Sequence, residues 1–101
     1  MAEVIKGYSL RYANYAAVQS GTAITTTPGF LGSVIVNKTP ASDAVLTIKD
    51  GGSSGTVLAT ITAPTIGMVF PFNCAITKSL YITLSATTNY GDFTITYDTR
   101  V

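Results

Sequence analysis

Two stretches in the second half of the chain alternate apolar and polar residues without a break. In one, Leu80, Ile82, Leu84 and Ala86 alternate with Tyr81, Thr83 and Ser85. In the other, Phe93, Ile95 and Tyr97 alternate with Thr94 and Thr96. A strict period of two puts one set on a single face of an extended strand, whereas helical faces recur about every 3.6 residues. Both stretches therefore read as strands of a sheet with one face buried. Elsewhere β-branched and aromatic residues dominate, punctuated by Gly, Pro, Ser and Asn. The only place a helical turn could form is residues 12–18.

On this basis strands are expected at residues 3–11, 30–37, 44–49, 56–62, 66–72, 79–86 and 92–98, with residues 19–27 extended. Residues 30–36 are apolar on both faces, so that strand belongs in the middle of a sheet or beneath a partner. Ile66, Met68, Phe70 and Phe72 form a further apolar row, with breaks expected at Pro71 and Asn73. Many short strands separated by turn signals indicate an antiparallel β-sandwich, jelly-roll-like or Ig-like, in which facing sheets bury these rows against each other. The chain has 101 residues, which fits a single domain spanning residues 1–101. Residues 1–29 follow the scheme least well. They read as an extended N-terminal arm and edge strand, or as a loosely packed edge strand with a long loop.

Between the strands at 44–49 and 56–62 lies Lys49-Asp50-Gly51-Gly52-Ser53-Ser54-Gly55-Thr56-Val57. It contains Gly51-x-Ser53-x-Gly55, the pattern of a nucleophile elbow. An elbow serine needs a base, normally histidine, and joins a strand to a helix. The chain has no histidine, and the following segment reads as a strand. The three glycines instead suit the positive φ values of a β-hairpin tip.

Other chemistry is sparse. The acids Glu3, Asp43, Asp50, Asp92 and Asp98 lack the local spacing of a metal site. Asp50 reads as a turn residue rather than a calcium ligand, and Asp98 as solvated or paired with Arg100. No convergent acid pair suggests a glycosidase. The single cysteine, Cys74, reads as an inert buried thiol, with no neighbouring cation to activate it. Asn37-Lys38-Thr39 matches a glycosylation acceptor. No catalytic residue, metal or cofactor is expected.

Charged residues make up only 11% of the chain, against roughly 25% in ordinary soluble domains. The net charge is +1 and the basic residues are scattered, which argues against a nucleic-acid partner. No apolar run is long enough to span a bilayer. With a single cysteine and no apolar leader core in the N-terminal residues, synthesis in the host cytoplasm is expected. A sparsely charged, Thr-rich surface suits burial against neighbours in an assembly. The six tyrosines could supply contact area with a polar tip. Tyr97 is expected to face inward, Tyr81 outward, and Tyr90 lies in a loop.

The order of several pieces is distinctive. Gly21-Thr22-Ala23 leads to Pro28-Gly29-Phe30-Leu31-Gly32-Ser33-Val34-Ile35-Val36-Asn37. Val45-Leu46-Thr47-Ile48-Lys49-Asp50 and Gly55-Thr56-Val57-Leu58-Ala59-Thr60-Ile61 follow, and then the two alternating stretches. Across residues 21–97 this resembles a class of small β-sandwich virion proteins of tailed bacteriophages, which serve as head decoration (cement) proteins and as tail or fibre modules. The resemblance implies a non-enzymatic structural protein on the capsid surface of the virion. It would bind across major capsid protein subunits and associate with itself, as a homotrimer. Subunit or capsid contacts are then expected at Tyr8, Leu10, Tyr12, Tyr15 and Phe30. The alternative is a tail or fibre module that recognises a host glycan through Tyr81 and Tyr90.

Overall fold

The computed structural model describes residues 10–17 and 19–99. They form eight strands and no helix: β1 (Arg11–Tyr15), β2 (Gln19–Ala23), β3 (Gly29–Lys38), β4 (Val45–Asp50), β5 (Thr56–Thr62), β6 (Val69–Ile76), β7 (Leu80–Ser85) and β8 (Asp92–Asp98). Two antiparallel four-stranded sheets result, ordered β1-β8-β3-β6 and β2-β7-β4-β5. The pairs β1·β8, β2·β7, β3·β6 and β4·β5 are nested about the β4–β5 turn and fall alternately in one sheet and the other. The chain is thus one long hairpin folded over on itself, closed laterally by β3·β8 and β4·β7.

The alternating rows point into the space between the sheets. Leu31, Val34, Val36, Ile76, Phe93 and Ile95 come from the first sheet. Leu46, Ile48, Ile61, Leu80, Ile82 and Leu84 come from the second, and all twelve belong to one buried cluster. This is a sandwich-like arrangement with a single apolar core. Burying a side chain of this size is worth about 1.5–3 kcal/mol, and the rows of β7 and β8 supply five of these residues. Tyr97 also packs on the core, and Tyr15, Phe70, Phe72 and Tyr90 pack around it.

The segment between Lys49 and Val57 is the tip of the β4–β5 hairpin. Gly51 (φ 112°) and Gly52 (φ 84°) adopt backbone conformations that L residues rarely reach. Gly55 is needed for a different reason: a Cβ there would collide with the Asp50 carbonyl. The Gly55 amide donates to the Gly52 carbonyl at 3.0 Å and closes the turn.

Two expectations about the strands need correction, and a third falls mostly outside the described residues. Residues 12–15, read as a helical turn, belong to β1, where pairing with Phe93–Thr96 supplies backbone partners that a short isolated helix lacks. The strand expected at residues 3–11 lies outside the described residues up to Ser9; Leu10 is irregular and Arg11 begins β1. Pro71 and Asn73 do not end β6, which runs through both to Ile76. β6 is an edge strand, where a missing proline N–H is tolerated. Asn73 adopts a left-handed conformation (φ 50°) in a bulge where two β6 residues oppose Gly32 alone. The strand accordingly starts at Val69, and Ile66 and Met68 lie exposed in the preceding loop instead of in the apolar row with Phe70 and Phe72.

Candidate functional site

Asp50 ends β4, and its carboxylate organises the turn between β6 and β7. Oδ2 accepts from the Thr77 amide and the Thr77 hydroxyl, both at 2.8 Å. Oδ1 accepts from the amides of Lys78 (2.9 Å) and Ser79 (3.3 Å). Burial works against the charged form, but the four hydrogen bonds outweigh it and hold the carboxyl below its usual pKa. The oxygens that a calcium ion would require are therefore engaged in closing a turn. Ser53 is exposed at the tip, where its carbonyl accepts from Lys49 Nζ at 2.8 Å. Cys74 is half-buried in β6; burial, then the Asp50 charge, push its thiol pKa up. Among the described residues no group of three or more His, Cys, Asp or Glu could hold a metal ion. No helix among them is long and apolar enough to cross a membrane.

The expected contact residues are not gathered at one place. Tyr8 lies outside the described residues. Leu10 and Tyr12 are exposed, at 56% and 74%, at the start of β1. Tyr15 is half-buried against the core, and burial raises its pKa. Phe30 is half-buried in β3, directly across from Asp98 of β8. Asp98 is itself buried rather than solvated; Arg100 lies outside the described residues.

Tyr81 and Tyr90 are half-buried and lie apart, Tyr81 near the start of β7 and Tyr90 in the loop between β7 and β8. Tyr81 faces outward, but its hydroxyl lies where a Cβ on Gly21 would project. The ring covers the irregular stretch of β2 between Gln19 and Thr22 and substitutes for the missing side chain. Tyr90 packs on the core. Its loop is tied to the β3–β4 loop by Asn89, whose side chain donates to the Thr39 carbonyl at 3.0 Å and whose carbonyl accepts from the Ala41 amide at 2.8 Å. Neither tyrosine is among the large apolar side chains that stand exposed.

A polar cluster on the outer face of the first sheet has no counterpart among the sequence expectations. Asn14 of β1 donates to Asp92 Oδ1 (2.6 Å) and Thr94 Oγ1 (3.1 Å) of β8. Asn37 of β3 donates to the same two atoms at 3.1 and 2.8 Å from the other side. Tyr12 projects from this same face, two residues from Asn14, opposite Thr96. The cluster joins three strands that are far apart in sequence, so only knowledge of their register would have revealed it. Asn37 of the glycosylation-like triplet is engaged here.

The second grouping lies at the open side between β5 and β6. A groove of about 560 Å³ runs there, walled by residues 59–64 on one side and by Met68, Phe70, Pro71 and Phe72 on the other. Val57, Ile66, Met68 and Val69, four of the six large apolar residues exposed among the described residues, belong to these strands and their connecting loop. No family model matches the chain, and neither the curated proteins nor the solved structures yield a match.

Proposed function

We propose that this chain is a non-enzymatic structural protein of a tailed-phage virion, attached to the capsid surface as a decoration protein. It binds across major capsid protein subunits and stabilises the head, and it does so as a homotrimer. The sandwich is read as a jelly roll rather than an Ig-like domain. The observation that carries the reading is the strand order β1-β8-β3-β6 and β2-β7-β4-β5. A folded-over eight-stranded hairpin of this order is the double Greek key found in viral capsid and lectin domains, while an Ig domain distributes its strands differently. Fold alone does not specify function. The sparse charge and the exposed apolar residues at both open sides add support, because they suit a protein covered by neighbours.

A decoration protein that binds only the assembled shell stabilises it by mass action. Several modest contacts per oligomer raise the avidity. Leu10 and Tyr12, exposed at the start of β1, are positioned to contact a neighbour in this reading. The test is co-sedimentation with DNA-free heads of the phage that encodes the chain. Saturable binding at a fixed copy number per shell, with a raised shell melting temperature, supports the proposal; no binding to heads overturns it.

A second reading, a tail or fibre module that binds a host glycan, is favoured by one observation. The exposed Tyr12 ring lies two residues from Asn14 on the same open sheet face, and Asn14 leads through Asp92 to Asn37, a combination of stacking surface and hydrogen-bonding groups suited to a saccharide. Glycan-array binding that is lost on Tyr12→Ala and on Asp92→Ala would favour it over the capsid reading. A silent array would remove it.

A further inference from the structure

The sandwich has two open sides, one bounded by β1 and β2 and the other by β5 and β6. Among the described residues β5 pairs only with β4, and β6 only with β3. Side chains of a strand alternate between its faces, so a groove wall formed by the unbroken run of residues 59–64 is the edge of β5 and the turn after it. The unpaired backbone groups of that edge therefore line the groove.

Proteins normally blunt free edges with lysine, proline or a bulge. β6 has both Pro71 and the bulge at Asn73. β5 has a bulge only near its start, where Leu58 is the extra residue between the pairs Lys49·Val57 and Ile48·Ala59. Residues 59–62, Ala-Thr-Ile-Thr, have no such protection. Nor does any charged residue occur between Asp50 and Lys78, the span that contains β5, β6 and their connecting loop.

We propose that this β5–β6 side is the face on which a second copy of the same chain docks, with the edge of β5 adding to the neighbour's structure. An uncharged, unblunted edge is self-complementary, so a second copy is the occupant it fits. A surface that meets its own copy presents every charge twice, and like charges brought together cost several kcal/mol. Val57, Ile66, Met68 and Val69 supply apolar area that a neighbour would cover. The inference deepens the self-association in the virion reading by naming its face, and it is tested on the purified chain without a shell.

The test is the mass of the purified chain in solution, measured by light scattering and by sedimentation over a range of concentrations. Wild type is expected to be a whole multiple of the monomer mass. Thr60→Lys places a charge on the exposed β5 edge, and Met68→Lys places one in the loop across the groove. Each is expected to weaken association by roughly tenfold or more while circular dichroism stays native. Met68 is outside any strand, so its variant reads the interface even if Thr60→Lys fails to fold. Ser20→Lys, on the exposed β2 edge, is expected to leave the mass unchanged. A monomeric wild type at all concentrations overturns the proposal, as does wild-type association by Met68→Lys. A dimer in place of a trimer supports this interface and counts against the homotrimer of the virion reading.

Discussion

Thr77 donates two hydrogen bonds to one oxygen of Asp50, from its backbone amide and from its hydroxyl, both at 2.8 Å. Through this pair the end of β4 in one sheet anchors the turn by which the chain leaves β6 in the other. The turn's other donors, the amides of Lys78 and Ser79, converge on the second oxygen.

Replacing Asp50 by Ala removes the acceptor of all four part-buried hydrogen bonds and is expected to lower stability by about 1–3 kcal/mol. Denaturant unfolding measures it. A loss below about 0.5 kcal/mol would show that water can substitute for the carboxylate.

Asp50 also contributes a defined pH dependence. Its folded pKa lies below that of the unfolded chain, about 3.9. Its ionised form is therefore favoured by folding; the contribution is complete above that value and is lost as pH falls through the lower folded pKa. The stability gap between wild type and Asp50→Asn is expected to be widest near neutral pH and to close below about pH 4. A gap that does not change with pH would contradict the assignment.

Gly21 and Tyr81 are coupled across β2 and β7. Gly21→Ala adds a Cβ where the Tyr81 hydroxyl sits and strains a backbone at φ 150°. It is expected to cost about 1–3 kcal/mol. Tyr81→Ala removes the collision but not the backbone strain, so a double-mutant cycle is expected to show non-additivity of about 0.5 kcal/mol or more. Additive losses would separate the two residues.

Phe93 is the largest fully buried side chain and contributes to a core shared by both sheets. Phe93→Ala is expected to cost about 3–5 kcal/mol. The Cys74 thiol, half-buried with a raised pKa, is expected to react with a thiol reagent much more slowly in the native chain than in the denatured one. Equal rates would place Cys74 at the surface.

Much of the sheet was legible because local pattern and tertiary placement agree. β5 and β8 start and end where the sequence expects them, since period two and flanking turn residues mark both boundaries. The hairpin tip was legible from its glycines, although Gly55 is required by its close approach to Asp50 rather than by its φ. β1 was not legible. Its residues carry no strong local preference, and its pairing with β8 joins residues some eighty positions apart, such as Tyr15 and Phe93. Pro71 misled because its tolerance depends on β6 being an edge, a property of the assembled sheet. The Asn14–Asp92–Asn37 cluster and the β5–β6 groove were hidden for the same reason: each is built from residues that only the register brings together.

The most direct test of the account is cryo-electron microscopy of heads of the encoding phage after saturation with this protein. The virion proposal expects eight-stranded sandwiches at three-fold or quasi-three-fold points, bridging major capsid subunits, with β5 and β6 turned toward the neighbouring copy. Heads without added density, or density confined to the tail, would contradict it.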